Sequence, residues 1–152
     1  MSSRPNILII MSDEQRVDTL GCYGNSVIPT PNIDALAEDG TKFTNCFTPY
    51  PLCCPSRASL WTSVYPHRHH VIGNWLAINP EFRNGGLVQL FREAGYETIY
   101  TGKWHVPGTT PEKMGFAKWS AIPAVLNGCD RGRYIEEYRE YVKGVGYKLK
   151  EG

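Results

Sequence analysis

This sequence has no long hydrophobic run. Its longest apolar stretch, Ile7 to Met11, falls far short of the about 20 residues a helix needs to cross a bilayer. The same stretch makes a poor leader core, because Asp13 and Glu14 follow at once and no small-residue cleavage site is visible. A cytoplasmic location is the expectation, with the proviso that a trimmed leader would leave the same letters. Neither sign of charge dominates: 16 Lys and Arg stand against 15 Asp and Glu, for a formal charge of +1. With no basic footprint and no polybasic cluster, neither nucleic acid nor a membrane surface is expected as a partner. The five cysteines are Cys22, Cys46, Cys53, Cys54 and Cys129. An odd number, one adjacent pair and no CxxC spacing argue against a disulfide framework or a structural zinc site. Internal repeats and low-complexity tracts are lacking too.

What is present reads as one globular domain. At 152 residues, with 41% hydrophobic and 20% charged residues, the chain can bury a core. Asn6 to Met11 is a continuous apolar run and predicts a buried strand. A helix is predicted from Thr30, as cap, through Pro31 in the first turn and the Ile33, Leu36, Ala37 stripe to a stop at Gly40. Alternation over residues 42–47 suggests a short strand with Phe43, Asn45 and Phe47 on one face. A second helix opens at Cys53-Cys54-Pro55-Ser56-Arg57, with Leu60 and Trp61 facing inward. A third runs over about 87–94, with Leu87, Leu90, Phe91 and Ala94 on one face and Gly95 as its stop. Residues 96–101 form a strand that leads into Gly102-Lys103-Trp104-His105. Tyr134, Ile135, Tyr138, Tyr141 and Val142 fall at helical spacing and read as packing.

Strands alternating with helices predict an α/β fold, a largely parallel sheet flanked by helices. Ligands in such sheets gather beyond the carboxyl ends of strands, which would put Asp13 and Lys103 on one rim.

Several motifs in order make a more specific statement. Cys53-Cys54-Pro55-Ser56-Arg57 is similar to the C-x-P-S-R signature of type I sulfatases of the alkaline phosphatase superfamily. Ala58 to Ser63, Tyr65-Pro66-His67-Arg68 and Gly102-Lys103-Trp104-His105 continue the likeness. So do Pro5 to Ile10 with Asp13, and the segment Thr30-Pro31-Asn32-Ile33-Asp34-Ala35-Leu36. The resemblance implies an alkaline-phosphatase-like fold and a sulfuric ester hydrolase. In that family the first cysteine of the motif, here Cys53, is oxidised to formylglycine by a maturation enzyme. Its hydrate has two hydroxyls. One attacks sulfur as the alcohol departs, and the other then loses its proton so that sulfate is expelled. A serine would be trapped as a stable ester.

Other roles follow from the same likeness. A divalent cation, calcium ahead of magnesium or manganese, would contact residue 53 and take hard-oxygen donors. Asp13 is the first choice for that ligand and Glu14 the second, since many relatives carry an Asp at the latter position. Arg57, one turn after Cys53, would brace the oxidised side chain. Lys103 would bind a sulfate oxygen, and His105 would hold or deprotonate the hydrate. Asn74 lies where some sulfatases and phosphonate monoester hydrolases contact the anion; a turn-forming Asn reads equally well there. His67, His69 and His70 lack a cysteine partner at zinc spacing and read as structural.

Sulfatases of this type are several times longer, and their remaining metal ligands, second histidine and second lysine come from later segments. No Asp-Asn or Asp-His pair follows His105 here. Residues 1–152 are therefore expected to be the N-terminal part of a catalytic domain lacking its C-terminal part, incomplete and inactive alone. The expected substrate is a small-molecule or carbohydrate sulfate ester. Two alternatives stand beside this: a phosphonate or phosphate monoester hydrolase using the same nucleophile, and a non-catalytic sulfatase-like module.

Overall fold

The computed structural model describes residues 4–122. Cys129 and the stripe from Tyr134 to Val142 lie outside them. The chain divides into two compact units, Met1–Phe47 and Thr48–Gly152.

In the first unit, α1 spans Pro31–Asp39, with Pro31 in its first turn and Gly40 after its end. These are the predicted punctuation marks. Thr30 caps it differently from expectation, making no side-chain bond to the helix's own amides. Its Oγ1 accepts from Gly21 N at 2.8 Å and donates to Asp34 Oδ1 at 2.9 Å, while Asp34 Oδ1 also accepts from Cys22 N at 2.6 Å. Helix α1 is thereby tied to the short 3₁₀ turn Gly21–Tyr23.

Two strand expectations fail here. Residues 6–11 and 42–47 form no paired strand, and Ile7 to Met11, Phe43 and Phe47 are all exposed. A strand is stabilised by a neighbour's ladder, and no described segment supplies one. The geometric argument that placed Asp13 at a strand end therefore lapses.

The second unit holds the described core. Helix α2 spans Cys53–Thr62, opening where predicted, and α3 spans Pro66–His69. Helix α4 covers Leu87–Glu93. Strands β1, Ile99–Lys103, and β2, Lys118–Ile122, pair in parallel, with Ile99 opposite Lys118 and Lys103 opposite Ile122. The class is thus α/β with a parallel sheet, as expected. The first of these strands starts later than predicted and takes in Lys103, and β2 was not foreseen.

Trp61 from α2 is sandwiched among Tyr100 of β1, Trp104 and Phe116. It stacks on Trp104 at 6.2 Å and meets the other two edge-on at 5.7 and 5.4 Å. Offset and edge-on pairs of this kind contribute about 1 kcal/mol each beyond their buried area. Cys54, Ala58, Val71, Ile78, Val88, Val106 and Met114 complete the cluster.

Helix α4 turns a different face inward from the one predicted: Val88 is buried, while Leu90 is 61% exposed. Its orientation is set at Gly86, whose φ of 87° suits glycine. A Cβ there would also lie 2.9 Å from Thr62 Cα and strike the Trp61 carbonyl oxygen. That contact brings the start of α4 against the backbone at the end of α2.

Candidate active site

The residue that opens α2 is Cys53. Leu52 before it is extended and contributes no side-chain cap. The cap arrives from twenty residues downstream, where Asn74 Oδ1 accepts from Cys54 N at 3.0 Å. This bond satisfies one of the amides that a helix start leaves open. It also leaves the Asn74 Nδ2 end of the amide as its donor. Cys53 is half-buried at this helix mouth, where amide dipoles favour negative charge.

Lys103 brings a full positive charge to the same place. Its Nζ lies 3.6 Å from Cys53 Sγ, across fifty residues of chain. Cys53 Sγ marks the position of the residue's reactive atom; in a matured protein an oxygen carried on Cβ would stand in place of the sulfur. One turn into α2, Arg57 is only 6% exposed, and its Nη1 donates to the Lys103 carbonyl oxygen at 2.7 Å. The structure therefore brings Cys53, Arg57 and Lys103 together, and reaches Asn74 through the backbone of Cys54.

The Gly102-Lys103-Trp104-His105 run is held by its tryptophan. Trp104 is 2% exposed, and its Nε1 donates to the Thr109 carbonyl at 3.0 Å. With that side chain locked in the core, Lys103 and His105 are displayed on either side of it along the chain. Both ring nitrogens of His105 are screened from solvent. Its φ of 50° is left-handed, a conformation costing a non-glycine residue about 1–2 kcal/mol. Four described non-glycine residues have such a φ. Ser63 and His70 do so at helix ends, whereas Glu14 and His105 do so outside any helix. Backbone strain of this kind gathers at functional positions.

Asp13 and Glu14 lie in the first unit, both exposed, in the turn after the apolar run. Among the described residues no group of three or more His, Cys, Asp or Glu is placed to hold a metal ion. Tyr100 was missed by sequence reasoning: its hydroxyl donates to the Lys103 carbonyl beside Arg57. Nothing in the spacing of Tyr100 and Lys103 along a strand signals that bond.

Comparison with known proteins points to one family. The family model described as Sulfatase matches residues 5–148. The chain is 39% identical over 125 residues to an ulvan-active sulfatase of Formosa agariphila, covering 81% of this chain and 24% of that protein. It is 35% identical over 121 residues to the N-acetylglucosamine-6-O-sulfatase of Bacteroides thetaiotaomicron, covering 80% of this chain and 21% of that one. Its structure is similar to the phosphonate monoester hydrolase of Agrobacterium radiobacter, with a TM-score of 0.67 at 30% identity, over 91% of this chain and 29% of the other. The chain thus spans less than a quarter of the length of those two curated relatives. A helix mouth bearing Cys53 and Arg57, a strand end bearing Lys103, and a family match over nearly the whole sequence lead to one statement: the chain belongs to the sulfatase family.

Proposed function

We propose that the full-length protein hydrolyses sulfate esters, carbohydrate sulfates foremost, using formylglycine made from Cys53. The observation behind this is the 3.6 Å approach of Lys103 Nζ to Cys53 Sγ at the start of a helix. An ammonium and a set of helix amides converge where a tetrahedral anion would meet the nucleophile. The choice of carbohydrate is supported by the similarity to an ulvan-active sulfatase and an N-acetylglucosamine-6-O-sulfatase.

In this reading Lys103 holds a sulfate oxygen as a point charge. Arg57 is committed to the Lys103 carbonyl and fixes the helix mouth to the strand end. Asn74 keeps the first turn of α2 in register through the Cys54 amide. His105, with solvent-screened nitrogens, is the residue we assign to moving the proton of the nucleophile. Formylglycine supplies a carbon bearing two hydroxyls when hydrated, one for attack and one for release.

Sulfatases generally pair that group with a divalent cation. The described donors fit one in kind: Asp13 and Glu14 are hard-oxygen carboxylates. In number they make up part of a shell, since calcium takes six to eight oxygens. We assign Asp13 and Glu14 as ligands of a calcium ion, with magnesium or manganese as substitutes. That ion would polarise the ester oxygen.

The similarity to a phosphonate monoester hydrolase favours one second reading, the same nucleophile acting on phosphonate monoesters. Paired aryl sulfate and aryl phosphonate substrates separate the two. The mass of the peptide containing residue 53, taken from the native host, tests both at once. An aldehyde mass, sulfate turnover exceeding phosphonate turnover, and loss of all turnover in Cys53→Ala are the expected results. An unmodified thiol in a host that possesses the maturation enzyme would sink the proposal.

A further inference from the structure

The end of β1 is fixed by a group that the reading above leaves without a task. The Lys103 carbonyl oxygen accepts two donors, Arg57 Nη1 at 2.7 Å and the hydroxyl of Tyr100. Two donors match the two lone pairs of a carbonyl oxygen. Tyr100 is only 9% exposed. Its ring is wedged against Trp104 at 5.2 Å, Phe116 at 5.1 Å and Trp61 at 5.7 Å, and cannot swing away without opening the core. Burial raises the phenol above its usual pKa of 10.0, against the lowering influence of Arg57. The hydroxyl therefore keeps its proton and remains a donor near neutral pH.

A phenylalanine would fill the same space among the same rings, so the oxygen adds nothing to packing. Its contribution is directional. With both lone pairs of the carbonyl engaged, the peptide plane that follows Lys103 is fixed at the very end of the strand. The Cα–Cβ direction from which the long lysine stem departs is fixed with it. A flexible four-carbon chain otherwise spreads its ammonium over many rotamers; anchoring its root narrows that spread at Cys53. Arg57 performs the same task from α2, so one carbonyl joins the nucleophile's helix to the lysine's strand.

We propose that Tyr100 is a positioning residue: its hydroxyl, acting with Arg57 on the Lys103 carbonyl, holds the Lys103 ammonium at residue 53 for a tetrahedral anion. The proposal rests on the sulfate-ester reading for the identity of the anion. It is tested in the matured full-length protein with Tyr100→Phe, Lys103→Ala and the double variant. Inorganic sulfate binding is measured by calorimetry, and kcat and KM on an aryl sulfate by steady-state kinetics. Tyr100→Phe should weaken sulfate binding and lower kcat/KM by about tenfold, the scale of one charge-assisted contact. On the Lys103→Ala background the same substitution should change either quantity by less than about twofold, because there is no ammonium left to place. Equal factors on both backgrounds would mean that the phenol merely stabilises the fold, and would overturn the proposal. Undetectable sulfate binding by the wild-type protein would overturn it as well. Sulfate binding with the expected coupling but no sulfate-ester turnover would instead remove the functional reading and leave the role of Tyr100 standing.

Discussion

His69 shows how a single residue's hydrogen bonds decide its chemistry. It is fully buried, and its Nδ1 accepts from Val71 N at 3.0 Å. Its proton therefore sits on Nε2, which faces Ser59 Oγ at 2.9 Å. A histidine donating to a serine is no base for that serine, and one with both nitrogens engaged is no zinc ligand. The structural role expected for this histidine cluster now has a physical cause at His69. Burial lowers its pKa below the usual 6.5, and the neighbouring His70 and His67 add to the lowering. Protonation would turn an N–H toward the Val71 N–H. The unfolded chain binds that proton more readily than the folded one, so stability is complete above about pH 6.5 and declines as the pH falls below it. The melting temperature, followed by circular dichroism, is expected to drop between pH 7 and pH 5. In His69→Gln it should start lower at pH 7 and fall less steeply. Parallel slopes for the two proteins would show that other groups govern the acid limb.

At the scale of elements, α2 is the piece on which the site depends, and its start is capped by a distant residue. Asn74→Ala should cost about 1 kcal/mol of stability by baring the Cys54 amide. Asn74→Asp keeps an acceptor and places negative charge at a helix N-terminus, which is favourable by about 0.5 kcal/mol. It should therefore melt at or above the wild-type temperature while binding sulfate more weakly, because a carboxylate repels the anion. If Asn74→Asp melted as low as Asn74→Ala, the capping role would be wrong.

Local punctuation made the helices legible. Pro31 and Gly40 bracket α1, the Cys-Cys-Pro run opens α2, and Gly95 with its φ of 85° follows α4. Each is a signal confined to a few residues of chain. The strands were less legible, because a strand exists only where another segment pairs with it. Residues 6–11 have the composition of a strand and no described partner, whereas β2, less apolar in sequence, gained one in β1. The site shows the same division. Cys53, Arg57, Lys103 and His105 were named from motifs, yet the Asn74 cap and the Tyr100 hydroxyl bond depend on where the backbone places a particular amide and a particular carbonyl.

For the whole molecule, the distribution of burial is uneven. Every residue of the described core belongs to the second unit, and the described part of the first contains no buried residue. Along its apolar run exposure alternates, with Leu8 at 83% and Ile10 at 80% set against Ile7 at 50% and Ile9 at 49%. That period of two is the signature of extended backbone, so the run is shaped like a strand, with no ladder partner among the described residues. Phe43 and Phe47, 66% and 83% exposed, add to the uncovered apolar area. An extended segment with exposed apolar side chains is a template for pairing with another chain. The polypeptide of residues 1–152, produced by itself, should accordingly associate with rising concentration in sedimentation velocity. The double change Leu8→Lys and Ile10→Lys puts charge on the more exposed side of the run and removes nothing buried. It should shift the distribution toward monomer with a melting temperature within about 1 °C of the parent, since surface substitutions away from packed features move stability by at most about 0.5 kcal/mol. A parent chain that sediments as a monomer at every concentration would show that the run is not the adhesive surface its exposure implies.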